Sequence, residues 1–219
     1  PRVMHLRRAH KVDMRAIRGV DAVVVSHLHF DHLDLPSLER LGRELPLVVP
    51  RGAGALVRKR GFRAVTEIEV HEQLAIGSLT IRATPATHSD ERMPLGAKAD
   101  PLGYVLEGTR SVYFAGDTEL FDGMSALAPV DVALLPIWGW GKKVGRGHMD
   151  PENAVEAARR LQASIVVPIH WGTYFPVQEG LRGGPADVDA PVDDFVTRMK
   201  AELPDADVRV LQPGAATPL

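Results

Sequence analysis

A mixed β-sheet covered by helices is the fold class this sequence predicts, and three observations predict it. Short β-branched apolar runs recur along the chain, amphipathic helical segments fall between several of them, and two pairs of runs are joined by hairpin turns.

Taken in order, residues 1–20 are basic and weakly patterned, with Arg7, Arg8, His10, Lys11, Arg15 and Arg18 among small and apolar residues, and read as a loop or short helix. The unbroken run from Asp21 to Val25 predicts a strand buried on both faces. Pro36 suits a first helical turn, and Leu38, Leu41 and Leu45 keep helical spacing, so a helix is predicted to run to Glu44-Leu45. Leu47-Val48-Val49 predicts a strand, Ala53 to Arg60 a short helix closed by Gly61, and Ala64 to Val70 a further strand. Gly77-Ser78 between two apolar triplets is a two-residue hairpin signal, and its second arm runs into His88. Ser89 to Pro101 reads as a surface loop. Gly103–Glu107 and Ser111–Ala115 predict a second hairpin leading to Gly116-Asp117-Thr118, and Asp131–Leu135 another buried strand.

Ile137 to Gly147 is a long loop rich in Gly, Trp and Lys, and such loops are often functional. Asp150 as N-cap and Pro151 at the first helical position start a helix that puts Ala154, Val155, Ala158 and Leu161 on one face. Ile165–Ile169 predicts a strand ending at His170, residues 180–190 a flexible stretch, Pro191–Leu203 a helix, and Val208–Leu211 a last strand.

The 219 residues, 45% hydrophobic and 25% charged, suffice for one domain spanning residues 1–219 with a substantial core. With a formal net charge of −2, nothing in the global charge argues for nucleic acid or an anionic membrane surface as partner, and no nucleic-acid partner is expected. With no cysteine, disulfides, thiolate nucleophiles and Cys-based zinc sites are excluded, so any metal must be held by His and carboxylate. No run has the length of a transmembrane helix and Pro1 to Arg8 lacks a signal-peptide core, so a cytoplasmic location is expected.

Function is written in Ser26-His27-Leu28-His29-Phe30-Asp31-His32. Four metal-capable side chains within six residues, at the end of a buried strand, are hard to explain by packing. In an extended segment His27, His29 and Asp31 share a face; if the chain bends there, the two histidines and the Asp31/His32 pair can address two neighbouring positions. Such ligands suit zinc, with manganese or iron also possible. Three later strands also end in metal-type side chains, His88, Asp117 and His170, and carboxyl ends of strands are where ligands collect in open sheets.

His27-x-His29-x-Asp31-His32 resembles the HxHxDH signature of the metallo-β-lactamase superfamily. Thr84 to His88, Val112 to Thr118, Gly147 to Ala154 and Pro168 to Thr173 are together similar to the branch containing N-acyl-phosphatidylethanolamine phospholipase D and the ascorbate-phosphate lactonase-like hydrolases. The resemblance implies a four-layer αββα sandwich holding two divalent ions. It assigns His27, His29 and His88 to one, and Asp31, His32 and His170 to the other, with Asp117 bridging. A hydroxide formed between the ions would attack a small phosphorylated, ester or lactone substrate, with Asp31 in the catalytic centre. His148, just before a helix, contacts substrate or transfers a proton on this reading, or else packs against the helix start.

Lys142, Lys143 and Arg146 read as phosphate or carboxylate contacts or as a solvated loop face; Trp138 and Trp140 as a pocket wall or as loop anchors; Arg92 and Lys98 carry the same ambiguity. The branch usually has strands before the one delivering HxHxDH, and residues 1–20 do not read as such a hairpin. The usual first N-terminal strands are therefore expected to be missing, by truncation or with an edge rebuilt in a homo-oligomer. A tRNA-processing type of nuclease and a non-catalytic metal-binding scaffold are the alternatives.

Overall fold

The computed structural model describes residues 6–8, 17, 19–139, 144–177 and 188–219. β1 (Leu6–Arg8) lies within the first twenty residues, where a loop or helix is expected from sequence. The small sheet holds β2 (Val23–Val24), β3 (Leu47–Pro50) and β4 (Val65–Ile68), all parallel and in that spatial order. The large sheet is built from β5 (Gln73–Ile76), β6 (Leu79–Pro85), β7 (Leu102–Glu107), β8 (Ser111–Phe114), β9 (Val132–Pro136), β10 (Ile165–Ile169) and, after β11 (Tyr174–Pro176), β12 (Asp207–Val208). Its spatial order is β12-β10-β9-β8-β7-β6-β5. β11 pairs instead with β1, antiparallel, and this long-range pairing is what makes Leu6–Arg8 a strand without any local alternation to announce it.

The helices are α1 (Leu35–Leu41), α2 (Gly54–Arg58), α3 (Pro151–Leu161) and α4 (Ala190–Glu202), with a 3-10 turn over Asp122–Leu127 that the sequence does not advertise. α1 stops short of the predicted Leu45 because Gly42 takes φ +121, a conformation favouring glycine, and ends the helix. α3 starts as expected: Asn153 N–H donates to the Asp150 carboxylate at 2.9 Å, satisfying a helix-end donor. The last strand is shorter than predicted, only Asp207–Val208, since only these two residues register with Ile165 and Val166.

Strand alternation distributes side chains into three packed layers. Leu47 and Val49 join Leu35, Leu38 and Val57 from α1 and α2. Val48, between them, points the other way and packs with Ile68 against Ile81, Ala83, Leu102 and Tyr104 of the large sheet. On the far face, Ala133, Leu135 and Val166 meet Ala154, Val155, Ala158 and Leu161 of α3 and Phe195 and Met199 of α4. The layers therefore run helix, sheet, sheet, helix, the αββα sandwich.

Topology then places the site. β6 and β8 both run antiparallel to β7, and β8, β9 and β10 run parallel. The carboxyl ends of β6, β8, β9 and β10 consequently share one edge. The small sheet is tied to that edge by Leu102 N–H donating to Ser26 O at 2.8 Å and by the Tyr104 hydroxyl donating to Val25 O at 2.8 Å. No described helix is long and apolar enough to cross a membrane.

Candidate metal centre

His27 follows β2 and is fully buried. Its Nδ1 lies 3.1 Å from the hydroxyl of buried Ser26, which also sits 3.4 Å from His32 Nδ1, so the Nε2 atoms of both rings turn inward. The chain then folds back: His32 N–H and Leu33 N–H both donate to His29 O, at 3.1 and 2.8 Å. Extended alternation stops here, so Asp31 does not share the face of His27 and His29. The turn separates His29 from Asp31 and His32, as needed to serve two positions.

The other strand ends converge on this turn. His88 Nε2 lies 3.0 Å from His29 Nδ1, and its own Nδ1 donates to Gly147 O at 2.7 Å. Thr87 N–H donates to Thr118 Oγ1 at 2.8 Å, tying the segment before His88 to the residue after Asp117. Gly116, at φ +63, is where Asp117's strand approaches Ser26; a Cβ there would stand 2.6 Å from the Ser26 Cβ. His170 takes φ +61, costly backbone for a residue with a Cβ, and its Nδ1 donates to Trp138 O at 2.5 Å.

Asp117 is the hub. Five imidazole Nε2 atoms surround its Oδ2: His32 at 3.0, His170 at 3.3, His148 at 3.4, His27 at 3.8 and His88 at 3.9 Å. Asp31 Oδ2 lies 3.3 Å from His32 Nε2 and 3.6 Å from that of His170. Neither Asp117 oxygen nor His27 Nε2 makes a hydrogen bond of good geometry, although all three are buried. Buried polar atoms so arranged call for another partner.

Two donor sets follow, His27/His29/His88 and Asp31/His32/Asp117/His170, each with ligand atoms within 4.8 Å of one another; His88, Asp117 and His148 form a third such grouping. Their charge states differ. Burial lowers His27, His29 and His88, the last to about 4, leaving neutral rings with lone pairs to offer. Burial also opposes charge on His32 and His170, but Asp117 outweighs it, raising His32 to about 10 and His170 above its usual value. Burial would raise Asp31 and Asp117, yet the adjacent imidazoles hold both below the usual carboxylate range. One set is ready for a cation, while in the other a cation would take the place of shared protons.

Not every candidate from sequence reaches this centre. Arg146 is exposed, and its carbonyl lies 3.2 Å from His148 Nδ1. Lys98 is exposed and paired with Asp90 and Glu91. Lys142, Lys143 and Trp140 lie outside the described residues. Trp138 is buried beside His170 and walls a recess of about 150 Å³ together with Asp31, His32, Trp171, Thr173 and Tyr174. Arg92 serves the loop backbone: its Nη1 donates to Leu28 O at 2.5 Å and Leu33 O at 3.1 Å, and its guanidinium lies 4.1 Å from the Phe30 ring centroid. Ser26, Gly147 and Glu119, which accepts from Gly147 N–H at 2.7 Å, escaped the sequence reading. Only the tight spacing of Ser26 to the histidines could have flagged one of them.

Comparisons with known proteins show the family and the fold. Residues 2–171 match the Beta-lactamase superfamily domain. A UPF0173 metal-dependent hydrolase of Methanopyrus kandleri is 30% identical over 89% of this chain and 80% of its own length. An uncharacterized protein of Mycobacterium tuberculosis is 32% identical over 74% of this chain, and the match spans only 47% of that relative. Among solved structures, the metallo hydrolase Igni18 of Ignicoccus hospitalis has TM-score 0.72 at 27% identity, over 94% of this chain and 84% of its own.

Proposed function

This chain belongs to the beta-lactamase superfamily, in the UPF0173 metal-dependent hydrolase family, and on that premise we propose that it is a binuclear metal-dependent hydrolase of small phosphorylated, ester or lactone substrates. The observation that carries the reading is the convergence of five imidazoles on Asp117, whose buried oxygens lack good hydrogen bonds. Carboxylate oxygens and the lone pairs of neutral imidazoles are all acceptors and cannot satisfy one another, whereas cations held among them would pair with both kinds of group.

In this reading His27, His29 and His88 would hold one ion and Asp31, His32 and His170 the other, with Asp117 available to both. Zinc suits the nitrogen-rich donors, with manganese or iron as alternatives. Ions held there would supply Lewis acidity and hydroxide near neutral pH. The protein's part is orientation. Ser26, Gly147 O and Trp138 O engage the outward Nδ1 atoms of His27, His88 and His170, turning each Nε2 inward. His148 Nε2, 3.4 Å from Asp117 Oδ2 and partly open to solvent, is positioned to pass a proton to the leaving group. The flanking segments support a place near the phospholipase D and lactonase-like branch.

Metal analysis with a hydrolysis screen tests the proposal. Two equivalents of metal per chain and turnover of a phosphodiester, ester or lactone are expected, and Asp117→Ala should lose both. A folded protein that binds no metal after growth in zinc or manganese would defeat it; two bound ions without turnover would favour a scaffold.

A further inference from the structure

The recess beside His170 is lined by Asp31, His32 and His170, which the hydrolase reading above gives to one ion, and also by Tyr174, which is buried and belongs to neither donor set. Burial pushes the Tyr174 hydroxyl up to about 12, with Arg8 opposing the rise and Asp31 and Asp34 adding to it. The phenol is therefore neutral at neutral pH, and it lies within electrostatic reach of both an ion-binding carboxylate and a guanidinium.

Register brings that guanidinium there. Arg8 and Tyr174 stand directly opposite each other in the antiparallel β1–β11 pair, so their side chains leave the ribbon on the same face. The Arg8 guanidinium donates to the Tyr174 hydroxyl and lies 4.9 Å from its ring centroid, within cation–π range. Arg8 itself is exposed, and among the described residues no carboxylate pairs with it. A guanidinium carries more N–H donors than one phenol oxygen can take, in a planar fork that matches a carboxylate or phosphate. A centre whose dications outweigh the Asp31 and Asp117 carboxylates is already positive, and Arg8 extends that field toward solvent.

We infer that Arg8, positioned by Tyr174, binds an anionic group of the substrate, a carboxylate or phosphate separate from the bond that is cleaved. The inference rests on the hydrolase reading and narrows its substrate class to esters, lactones or phosphodiesters that carry a second, remote oxyanion.

Calorimetric titration of the zinc-loaded full chain with butyrate, glutarate and phosphonobutyrate tests this. The three probes share a chain and differ in the second anion, and zinc content is measured on every sample. Glutarate or phosphonobutyrate should bind about fivefold or more tighter than butyrate, the scale of one exposed charge pair. The tighter of the two tells carboxylate from phosphate. Arg8→Gln should bring that ratio to about twofold or less while butyrate affinity and zinc content stay unchanged. Arg8→Lys keeps the charge without the fork, and Tyr174→Phe keeps the fork without its anchor, so both should fall between. In kcat/KM, para-carboxyphenyl acetate should exceed phenyl acetate in the unaltered protein and lose that lead in Arg8→Gln. Equal affinities for all three probes, or a ratio that Arg8→Gln does not move, overturn the inference. So does equal weakening of all three in Arg8→Gln, which would make Arg8 a structural part of the ribbon. If esters or bis(para-nitrophenyl) phosphate turn over but the ratio stays put, the hydrolase reading stands and the Arg8 assignment falls. If zinc does not bind and nothing turns over, both fall.

Discussion

His88 donates from Nδ1 to the carbonyl of Gly147 at 2.7 Å, and because a carbonyl only accepts, this bond dictates which ring nitrogen faces the donor cluster. Gly147 can approach so closely because it has no side chain: a Cβ would stand 2.3 Å from His88 Nδ1, at a φ of +84.

Gly147→Ala should therefore displace His88 and weaken metal binding by about 10–100-fold, the usual cost of losing a partner that orients a ligand. Gly145→Ala, where a Cβ meets nothing within 4 Å, is the matched control and should bind metal normally. Competition with a chromophoric chelator reads the difference; equal affinities would show that His88 does not depend on this bond.

His148 stands close to Asp117 but belongs to neither of the two donor sets proposed to hold the ions. His148→Ala should lower turnover by about 10²–10⁴-fold, the range for removing a positioned proton-transfer group, with metal content unchanged. A lost metal equivalent would instead make it a ligand, through the grouping with His88 and Asp117.

Arg92 bridges two carbonyls on either side of the His29–His32 turn. Arg92→Ala leaves those acceptors without their donor and should cost about 1–3 kcal/mol in urea unfolding. Arg92→Lys keeps the charge but not the fork, and should recover only part of that loss. Unchanged stability in both variants would mean that water replaces the guanidinium at no cost.

Metal loading should expel protons. Asp117 raises His32 to about 10 against the opposing effect of burial, so the ring is protonated at neutral pH, and a metal ligand must offer a lone pair. The sign is clear: affinity rises with pH up to about 10, because fewer protons need displacing. Zinc titration by calorimetry at pH ~7 in buffers of different ionisation enthalpy should show roughly one proton or more released per chain. A buffer-independent enthalpy would place His32 outside the metal site.

The sequence by itself determined the donor types, their spacing and their strand-end positions. Four acid-base side chains packed into His27–His32 and single donors at His88, Asp117 and His170 are local facts, as are the β-branched runs and the Asp150-Pro151 helix start. Periodicity reports such features because it depends on neighbours in the chain. Only the tertiary structure decided what each donor faces. Arg92 meets Leu33 across 59 positions and Arg8 meets Tyr174 across 166, and such pairings leave no local trace. The same holds for Ser26 behind two histidines, for Gly147 behind His88, and for Trp171 and Tyr174 in the recess: burial, approach distance and ring orientation arise when remote segments pack, not when each is read alone.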